Sequence, residues 1–152
     1  MPTPEARLER LGITLGEPNA AVANYVPYVI SGNQLFISGQ ISMDANGLVK
    51  GRLGENMDLE AGQAAARLCG INLITQMKAA LQSLSRVERI VKLGGFVNAS
   101  PDFVDIPQVI NGCSDIMVEA FGEKGRHARS AVACPVLPLG VAVEVDAIIE
   151  FE

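Results

Sequence analysis

Strict alternation of residue type at the C-terminal end of the chain limits the possible folds more than any other feature. Between residues 141 and 152, every second side chain is apolar, in the series Val141, Val143, Val145, Ala147, Ile149 and Phe151. Successive side chains of a strand point to opposite faces, so the pattern predicts a β-strand with one apolar face and one face that carries carboxylates. The apolar face has to be covered, and the fold therefore needs a second layer.

Two amphipathic helices can supply that layer. Apolar residues recur at intervals of three or four over residues 58–84 and again over residues 105–121, which predicts a helix in each range. Asp58 and Asp105 are placed to cap the two N-termini, and Gly122 is placed to end the second helix. Glycine inside a helix costs about 1 kcal/mol relative to alanine. We therefore interpret the small residues of the first helix as a close approach to a sheet; they are Gly62, Ala66 and Gly70.

Shorter elements surround these two helices. Residues 4–11 predict a short helix that ends at Gly12. Residues 24–30 and 34–38 are rich in β-forming residues and flank Ser31-Gly32-Asn33, so they predict a hairpin. Two further strands are predicted at residues 89–98 and 128–134. Asn46-Gly47 is a second candidate tight turn, and the segment Pro135–Gly140 turns the chain into the last strand.

The resulting order is hairpin, helix, strand, helix, hairpin. It predicts an α+β fold in which a mixed β-sheet carries both long helices on one face. The other face of the sheet then meets solvent or another subunit. Residues 1–152 contain no linker or repeat, so we expect a single domain with the helix at residues 4–11 as an N-terminal extension.

Composition argues against several classes of protein. The chain has a net charge of -5, and its twelve Lys and Arg residues are scattered, whereas nucleic-acid-binding proteins usually present a basic stripe. Cys69, Cys113 and Cys134 lack metal-binding spacing, and their odd number indicates reduced thiols. We find no signal-peptide pattern and no apolar run of the ~20 residues that a membrane helix needs. The expectation is a soluble cytoplasmic protein without a bound metal.

Several motifs occur together in a recognisable order. They are Ser38-Gly39-Gln40-Ile41, Phe96-Val97, Asp102-Phe103, Asn111, Arg129-Ser130-Ala131-Val132, Leu137-Pro138 and Val143-Glu144-Val145-Asp146-Ala147-Ile148. In these motifs the chain resembles the YjgF/RidA family over roughly residues 20–151. The resemblance implies a chorismate-mutase-like homotrimer with clefts between subunits. It also implies a 2-iminobutanoate/2-iminopropanoate deaminase-like hydrolase, which converts 2-iminoacids or 2-aminoacrylate to 2-ketoacids and ammonia without a cofactor.

Two residues receive catalytic roles from this resemblance. Arg129 matches the residue that holds the substrate carboxylate, a task for which the planar guanidinium is suited because it donates two parallel hydrogen bonds. Glu144 matches the acidic residue that positions or deprotonates the attacking water. From the residues alone, Arg129 could equally form a surface salt bridge, and Glu144 could be a solvated strand carboxylate like Glu150.

The resemblance also implies a set of substrate-binding residues. Tyr25 matches an aromatic residue near the cleft, with Tyr28 as its rival, and Gly39 would let backbone approach the ligand. Asn111 would reach the substrate from the second helix, although solvation of that helix face also explains it. Ala131 stands where the family commonly has Cys, and its backbone would hold the imine nitrogen. His127, the one histidine of the chain, is a candidate acid or base, although a lone histidine is more often structural.

Three other functions remain open at this point. The same clefts could bind small carboxylates or ketoacids without catalysis. The older family label suggests an endoribonuclease or translation inhibitor, against which the acidic composition and the lack of a histidine pair argue. A rearrangement like that of chorismate mutase would rest on similarity of fold alone.

Overall fold

A five-stranded mixed sheet carries two long helices on one face in the computed structural model, which describes residues 2–21 and 23–152. Met1 and Val22, which the predicted domain includes, lie outside the described residues. The elements are α1 (Pro4–Arg10), β1 (Tyr28–Ser31), β2 (Gln34–Ile41), β3 (Met43–Asp44), β4 (Gly47–Leu48), α2 (Leu59–Leu81), β5 (Val87–Asn98), α3 (Ile106–Phe121), β6 (Ala128–Cys134) and β7 (Val143–Phe151). The predicted α+β class, mixed sheet and arrangement of both helices on one face are confirmed.

The sheet has the strand order β1-β2-β7-β5-β6. Strands β5 and β6 are parallel, and the helix α3 connects them, as a parallel pair requires. The predicted C-terminal hairpin is therefore wrong, because β5 lies between β6 and β7. The segment after β6 carries the chain past β5, and β7 pairs with β2 and β5 in the middle of the sheet. Its alternating pattern suits this place, because the helices cover its apolar face.

The predicted N-terminal hairpin is confirmed, with two changes. Strand β1 begins at Tyr28, so residues 24–27 are irregular rather than extended. Gly32 turns the chain with a φ of 63°, as the turn signal indicated. Strand β2 continues to Ile41 and contains a bulge, since the pairing partners change from Ile37↔Ala147 to Gln40↔Val145. Two residues, Ser38 and Gly39, thus stand opposite one residue of β7.

The helix boundaries follow the capping signals in part. The Asp58 side chain accepts a hydrogen bond of 2.8 Å from the Ala61 N–H, so the predicted cap of α2 is confirmed. Asp105 makes no such bond, and its prediction as a cap is wrong. Its ψ of 40° departs from the extended backbone that lets a capping side chain reach back to the first turn. Gly122 ends α3 with a φ of 64°, as predicted.

The glycines of α2 serve contacts other than those predicted. A Cβ on Gly70 would lie 2.5 Å from Cγ2 of Ile116 in α3, and a Cβ on Gly62 would lie 2.7 Å from Cδ1 of Leu53. The interpretation as an approach to the sheet is therefore wrong for these two residues. The lack of a side chain on Gly62 and Gly70 instead lets the loop around Leu53 and the helix α3 pack closely on α2. This packing fixes α3 beside β5 and β6.

The cysteines and the hydropathy of the helices give no sign of a special environment. Cys69 and Cys113 are buried and Cys134 is half-buried, and all three are free thiols. Burial raises the pKa of Cys113 to about 12, which keeps this thiol neutral. In the described part of the chain, no helix is long and apolar enough to cross a membrane, and no cluster of His, Cys, Asp or Glu could hold a metal ion.

Candidate functional site

Arg129 and Glu144 point to opposite faces of the sheet. Arg129 pairs in register with Leu93, which pairs with Ala147, and these two partners are buried beneath the helices. Glu144 pairs with Ile41 and with Phe96. Phe96 lies three residues after Leu93 on β5, and side chains alternate along a strand, so the Glu144 side chain points to the other face of the sheet. Strand β5 also lies between the two strands that carry them. Within one chain, the two predicted catalytic residues therefore belong to two separate cavities.

The cavity at Glu144 has a volume of about 440 Å³ and a mainly apolar lining. Its walls come from the irregular N-terminal segment, the bulged part of β2, the β3-β4 hairpin and the turn before β7. Tyr25 lines this cavity and is 47% exposed, whereas Tyr28 packs against the core. The lining residues are Asn19, Ala20, Ala21, Ala23, Tyr25, Pro27, Gly39, Gln40, Ile41, Met43, Leu48, Pro138, Leu139 and Glu144.

The electrostatic setting of Glu144 favours its neutral form. Burial raises the pKa of this carboxyl above its usual value, and the nearby charge of Asp146 raises it further. Over residues 2–21 and 23–152, no group donates a hydrogen bond to the Glu144 carboxylate. A carboxylate without donors and with a raised pKa is a stronger base than one in water. It can accept a proton from a water molecule held in this cavity.

Gly39 is in direct contact with that carboxylate. A Cβ built on Gly39 would overlap Oε2 of Glu144 and would lie 2.9 Å from its Cδ. The bulge in β2 brings the Gly39 backbone to this place. The sequence suggested that glycine here admits a ligand, and the structure shows that glycine also admits the Glu144 side chain.

The second cavity, about 280 Å³ in volume, lies between α3 and the start of β6. It brings together three of the predicted site residues, Asn111, His127 and Arg129. Ala131 follows two positions along β6 on the same face as Arg129, half-buried against the core. The other lining residues are Ser114, Asp115, Val118 and Arg126.

Arg129 is held by two hydrogen bonds to α3. Its Nη1 donates to the Ser114 Oγ at 3.0 Å, and its Nη2 donates to the Pro107 carbonyl at 3.1 Å. The Ser114 Oγ also lies 2.9 Å from Nε2 of His127, whose Nδ1 lies 2.7 Å from the Gly125 carbonyl. Ser114 was not among the sequence candidates. Its position three residues after Asn111, on the same helix face, is the signal that could have identified it.

The predicted site residues thus fall into two groups. Tyr25 and Gly39 lie with Glu144, and Asn111 and His127 lie with Arg129. The sequence did not separate these groups, because the strand order that divides them is a property of the sheet as a whole. Pro138 and Leu139, which line the Glu144 cavity, were missed as well. They stand in the turn before β7, where Leu137-Pro138 was noted as a motif of the resemblance without a role in the site.

Comparison with known proteins identifies a family over nearly the whole chain. Residues 5–151 match the family model described as "YjgF/chorismate mutase-like, putative endoribonuclease". The protein TCP17 of Trypanosoma cruzi is 51% identical over 147 residues, which are 95% of this chain and 92% of that protein.

Solved structures show the same similarity. A protein from Shewanella oneidensis, described as a "putative endoribonuclease", is 40% identical and superposes with a TM-score of 0.96 over 99% of this chain and 100% of that one. Escherichia coli TdcF, solved with bound serine, is 28% identical with a TM-score of 0.64 over 91% of this chain and 96% of that one.

Proposed function

Because the chain belongs to the YjgF/chorismate mutase-like family, we propose that it hydrolyses 2-iminoacids to 2-ketoacids and ammonia at a site formed between two copies of the chain. The observation that carries the proposal is the separation of a carboxylate receptor and a base on opposite faces of one sheet. The Arg129 cavity supplies the carboxylate receptor, and the Glu144 cavity supplies the base. Two copies packed together can bring a receptor and a base into one site.

The Arg129 cavity provides the receptor for the substrate carboxylate. Arginine has five N–H donors, and its contacts with Ser114 and Pro107 occupy two of them. Three donors are left for a ligand, enough for the bidentate pair that a carboxylate accepts. The solved complex of TdcF with serine, an amino acid that carries a carboxylate, supports a receptor of this kind. Asn111, which lines the same cavity, adds an amide for the polar end of the substrate.

The Glu144 cavity provides the base and a place for the substrate side chain. Its raised pKa suits a group that takes a proton from water near neutral pH. The apolar lining, with Leu48, Leu139 and Ile41 among its residues, fits an apolar substrate side chain better than a charged one.

The proposed reaction consumes one water and releases one ammonia. Glu144 accepts a proton as the water oxygen bonds to the imine carbon, and the electron pair of the C=N bond moves to the nitrogen, which takes up a proton from solvent. The tetrahedral intermediate then loses its C–N bond. The Glu144 proton passes to the departing nitrogen, and the hydroxyl proton returns to solvent as the C=O bond forms. A 2-ketoacid and ammonia result, and no oxidant, reductant or cofactor takes part.

Exposed apolar residues on the Glu144 face support an assembly of several copies. Phe36 is 39% exposed and Val132 is 48% exposed, although both belong to strands of the sheet. Val29 and Ile30 of β1 are similarly exposed near the sheet edge. Exposed apolar residues of this kind favour burial against another protein surface. We propose that three copies bury this face together and bring the Arg129 cavity of one copy to the Glu144 cavity of the next.

Release of ammonia and ketoacid from freshly generated 2-iminoacids tests the proposal. We expect the protein to accelerate release over a blank, and Arg129→Ala to lower kcat/KM about 100-fold through loss of the charged hydrogen bonds. Arg126→Ala is the matched control, because Arg126 lines the same cavity but is exposed and paired with Glu123 at 3.2 Å. Equal rates for the wild type and Arg129→Ala would overturn the proposal.

A non-catalytic carboxylate-binding protein is the second candidate, favoured by the serine complex of TdcF. Saturable binding of a ketoacid that is lost in Arg129→Ala, without any turnover of 2-iminoacids, would establish it. The endoribonuclease named in the family description is tested on the same preparation by incubation with single-stranded RNA. The net charge of -5 leads us to expect no cleavage.

A further inference from the structure

The hydroxyl of Ser114 stands between a cation and a histidine ring. Arg129 Nη1 lies 3.0 Å from this oxygen and His127 Nε2 lies 2.9 Å from it. A guanidinium can only donate, so the Ser114 oxygen accepts from Arg129. The hydroxyl proton is then available to the ring, and it completes the contact if Nε2 of His127 carries no proton.

The other side of the ring fixes the same protonation state. His127 Nδ1 lies 2.7 Å from the Gly125 carbonyl, which can only accept, so Nδ1 carries the proton. This carbonyl belongs to a tightly packed turn, because a Cβ on Gly125 would overlap the Met117 carbonyl of α3. Of the two neutral tautomers of the ring, the one with its proton on Nδ1 therefore satisfies every contact from Gly125 to Arg129.

Both ring nitrogens are thus occupied by protein groups. His127 acts on the site through Ser114, and Ser114 acts on the guanidinium. We propose that Ser114 and His127 are positioning residues, which hold the Arg129 guanidinium in the orientation that receives the substrate carboxylate. This inference rests on the proposed role of Arg129.

Protonation of His127 would weaken the arrangement. With a proton on Nε2, the ring and Arg129 would both donate to the Ser114 oxygen, which has two lone pairs to accept them, but two cations would then repel each other across it. Burial lowers the pKa of His127, the Arg129 charge lowers it further, and the Gly125 contact opposes both. The neutral ring, and with it the fixed guanidinium, therefore persists below the usual histidine pKa.

Other charged groups surround this cavity. Asp115 of α3 and Arg126 before β6 line it, and Glu123 pairs with Arg126 at 3.2 Å. Cys113 of α3 stays neutral, since its pKa is about 12. A carboxylate that binds the fixed guanidinium favours the neutral ring, so by linkage it should lower the pKa of His127 further.

Nitrogen NMR of the imidazole tests the tautomer directly, and His127 gives an unambiguous signal because it is the one histidine of the chain. We expect the neutral ring to carry its proton on Nδ1, with a pKa below the usual histidine value that falls further when a 2-ketoacid is added. We also expect Ser114→Ala to weaken the preference for this tautomer. A neutral ring protonated on Nε2 would overturn the inference, whether or not the protein has any activity.

Binding of the ketoacid product, measured by calorimetry, and KM for the 2-iminoacid test the positioning role. Loss of one charged hydrogen bond from Arg129 in Ser114→Ala should raise Kd and KM about tenfold, with a smaller change in kcat. Ser114→Thr keeps the hydroxyl and should restore both constants. Ser85→Ala is the matched control, since Ser85 is an exposed serine before β5 and lines neither cavity. Between pH 8 and pH 5, KM should rise in the wild type and stay flatter in His127→Gln.

The outcomes separate this inference from the proposed function. If Arg129→Ala loses ketoacid binding while Ser114→Ala, folded as judged by circular dichroism, binds like the wild type, the positioning role is refuted and the carboxylate receptor stands. If the wild type binds ketoacid without turnover, the hydrolase proposal fails, and the Kd series still decides the positioning role. If Arg129→Ala binds as well as the wild type, both are refuted.

Discussion

The carboxylate of Glu144 occupies the space that a side chain on Gly39 would fill. Gly39 lies in the bulge of β2, and Glu144 lies near the start of β7, where it pairs with Ile41. The absence of a side chain at residue 39 therefore sets where the proposed base can stand. This relation gives a way to displace the carboxylate without removing it.

Gly39→Ala should lower kcat about 100-fold, because displacing Glu144 removes the help of a general base. Steady-state rates of ketoacid release measure this effect. Gly94→Ala is the matched control, since its Cβ would lie 2.5 Å from Oδ1 of Asp146, a similar contact on the same face outside the Glu144 cavity. Equal losses in the two variants would mean that crowding of the sheet, and not the position of Glu144, limits the rate.

Activity should fall toward acid pH. The pKa of Glu144 is raised by burial and then by the Asp146 charge, so the carboxylate is lost at a higher pH than in an exposed glutamate. A base that becomes protonated stops working, and kcat should therefore decrease as the pH falls through this raised pKa. A pH profile of kcat from pH 8 to pH 4 measures it. A profile of the wild type that matches the residual activity of Glu144→Gln in shape would contradict the assignment.

The same shift predicts a stability effect of opposite sense. An acid whose pKa is higher in the folded state contributes stability when protonated, and this contribution is lost as the pH rises through the folded-state pKa. At pH 7 to 8 the ionised Glu144 is therefore a cost to folding. Glu144→Gln should raise Tm in this range, and the difference should shrink toward pH 4. A lower Tm for Glu144→Gln at pH 8 would contradict this expectation.

Leu139 combines an unfavourable backbone with a place in the cavity. Its φ of 62° lies in the left-handed region, and its side chain is 56% exposed at the wall of the Glu144 cavity. Leu139→Gly should raise the free energy of unfolding by about 0.5–1 kcal/mol, because glycine removes the backbone strain. Urea denaturation measures this change. The same variant should raise KM for 2-iminoacids with large apolar side chains more than for 2-iminopropanoate, whose side chain is a methyl group. An equal change in KM for all substrates would show that Leu139 does not contact the substrate side chain.

Local patterns predicted most of the elements. The alternation at residues 141–152, the spacing of apolar residues in α2 and α3 and the turn at Gly32 each depend on neighbours in the chain, and each appears in the structure within a few residues. The cap at Asp105 failed because its backbone departs from the extended form. Side-chain type alone does not carry that information.

Relations between distant elements were not predictable in the same way. A strand, a turn and a second strand at residues 128–151 suggest a hairpin. In the structure β5 pairs with both β6 and β7 and separates them, so the two strands do not form one. That pairing places Arg129 and Glu144 on different faces. The two residues were identified from motifs, but their separation, and the contact of Ser114 with Arg129, depend on how α3 and the sheet pack together.

Mixing two inactive variants is the most direct test of a site shared between copies. Arg129→Ala and Glu144→Gln are refolded together in equal amounts, and the rate of 2-iminoacid hydrolysis is measured. If each site takes Arg129 from one copy and Glu144 from the next, about one quarter of the sites in a random mixture are intact, and about one quarter of wild-type activity should return. Activity no higher than the mean of the two separately refolded variants would contradict the account.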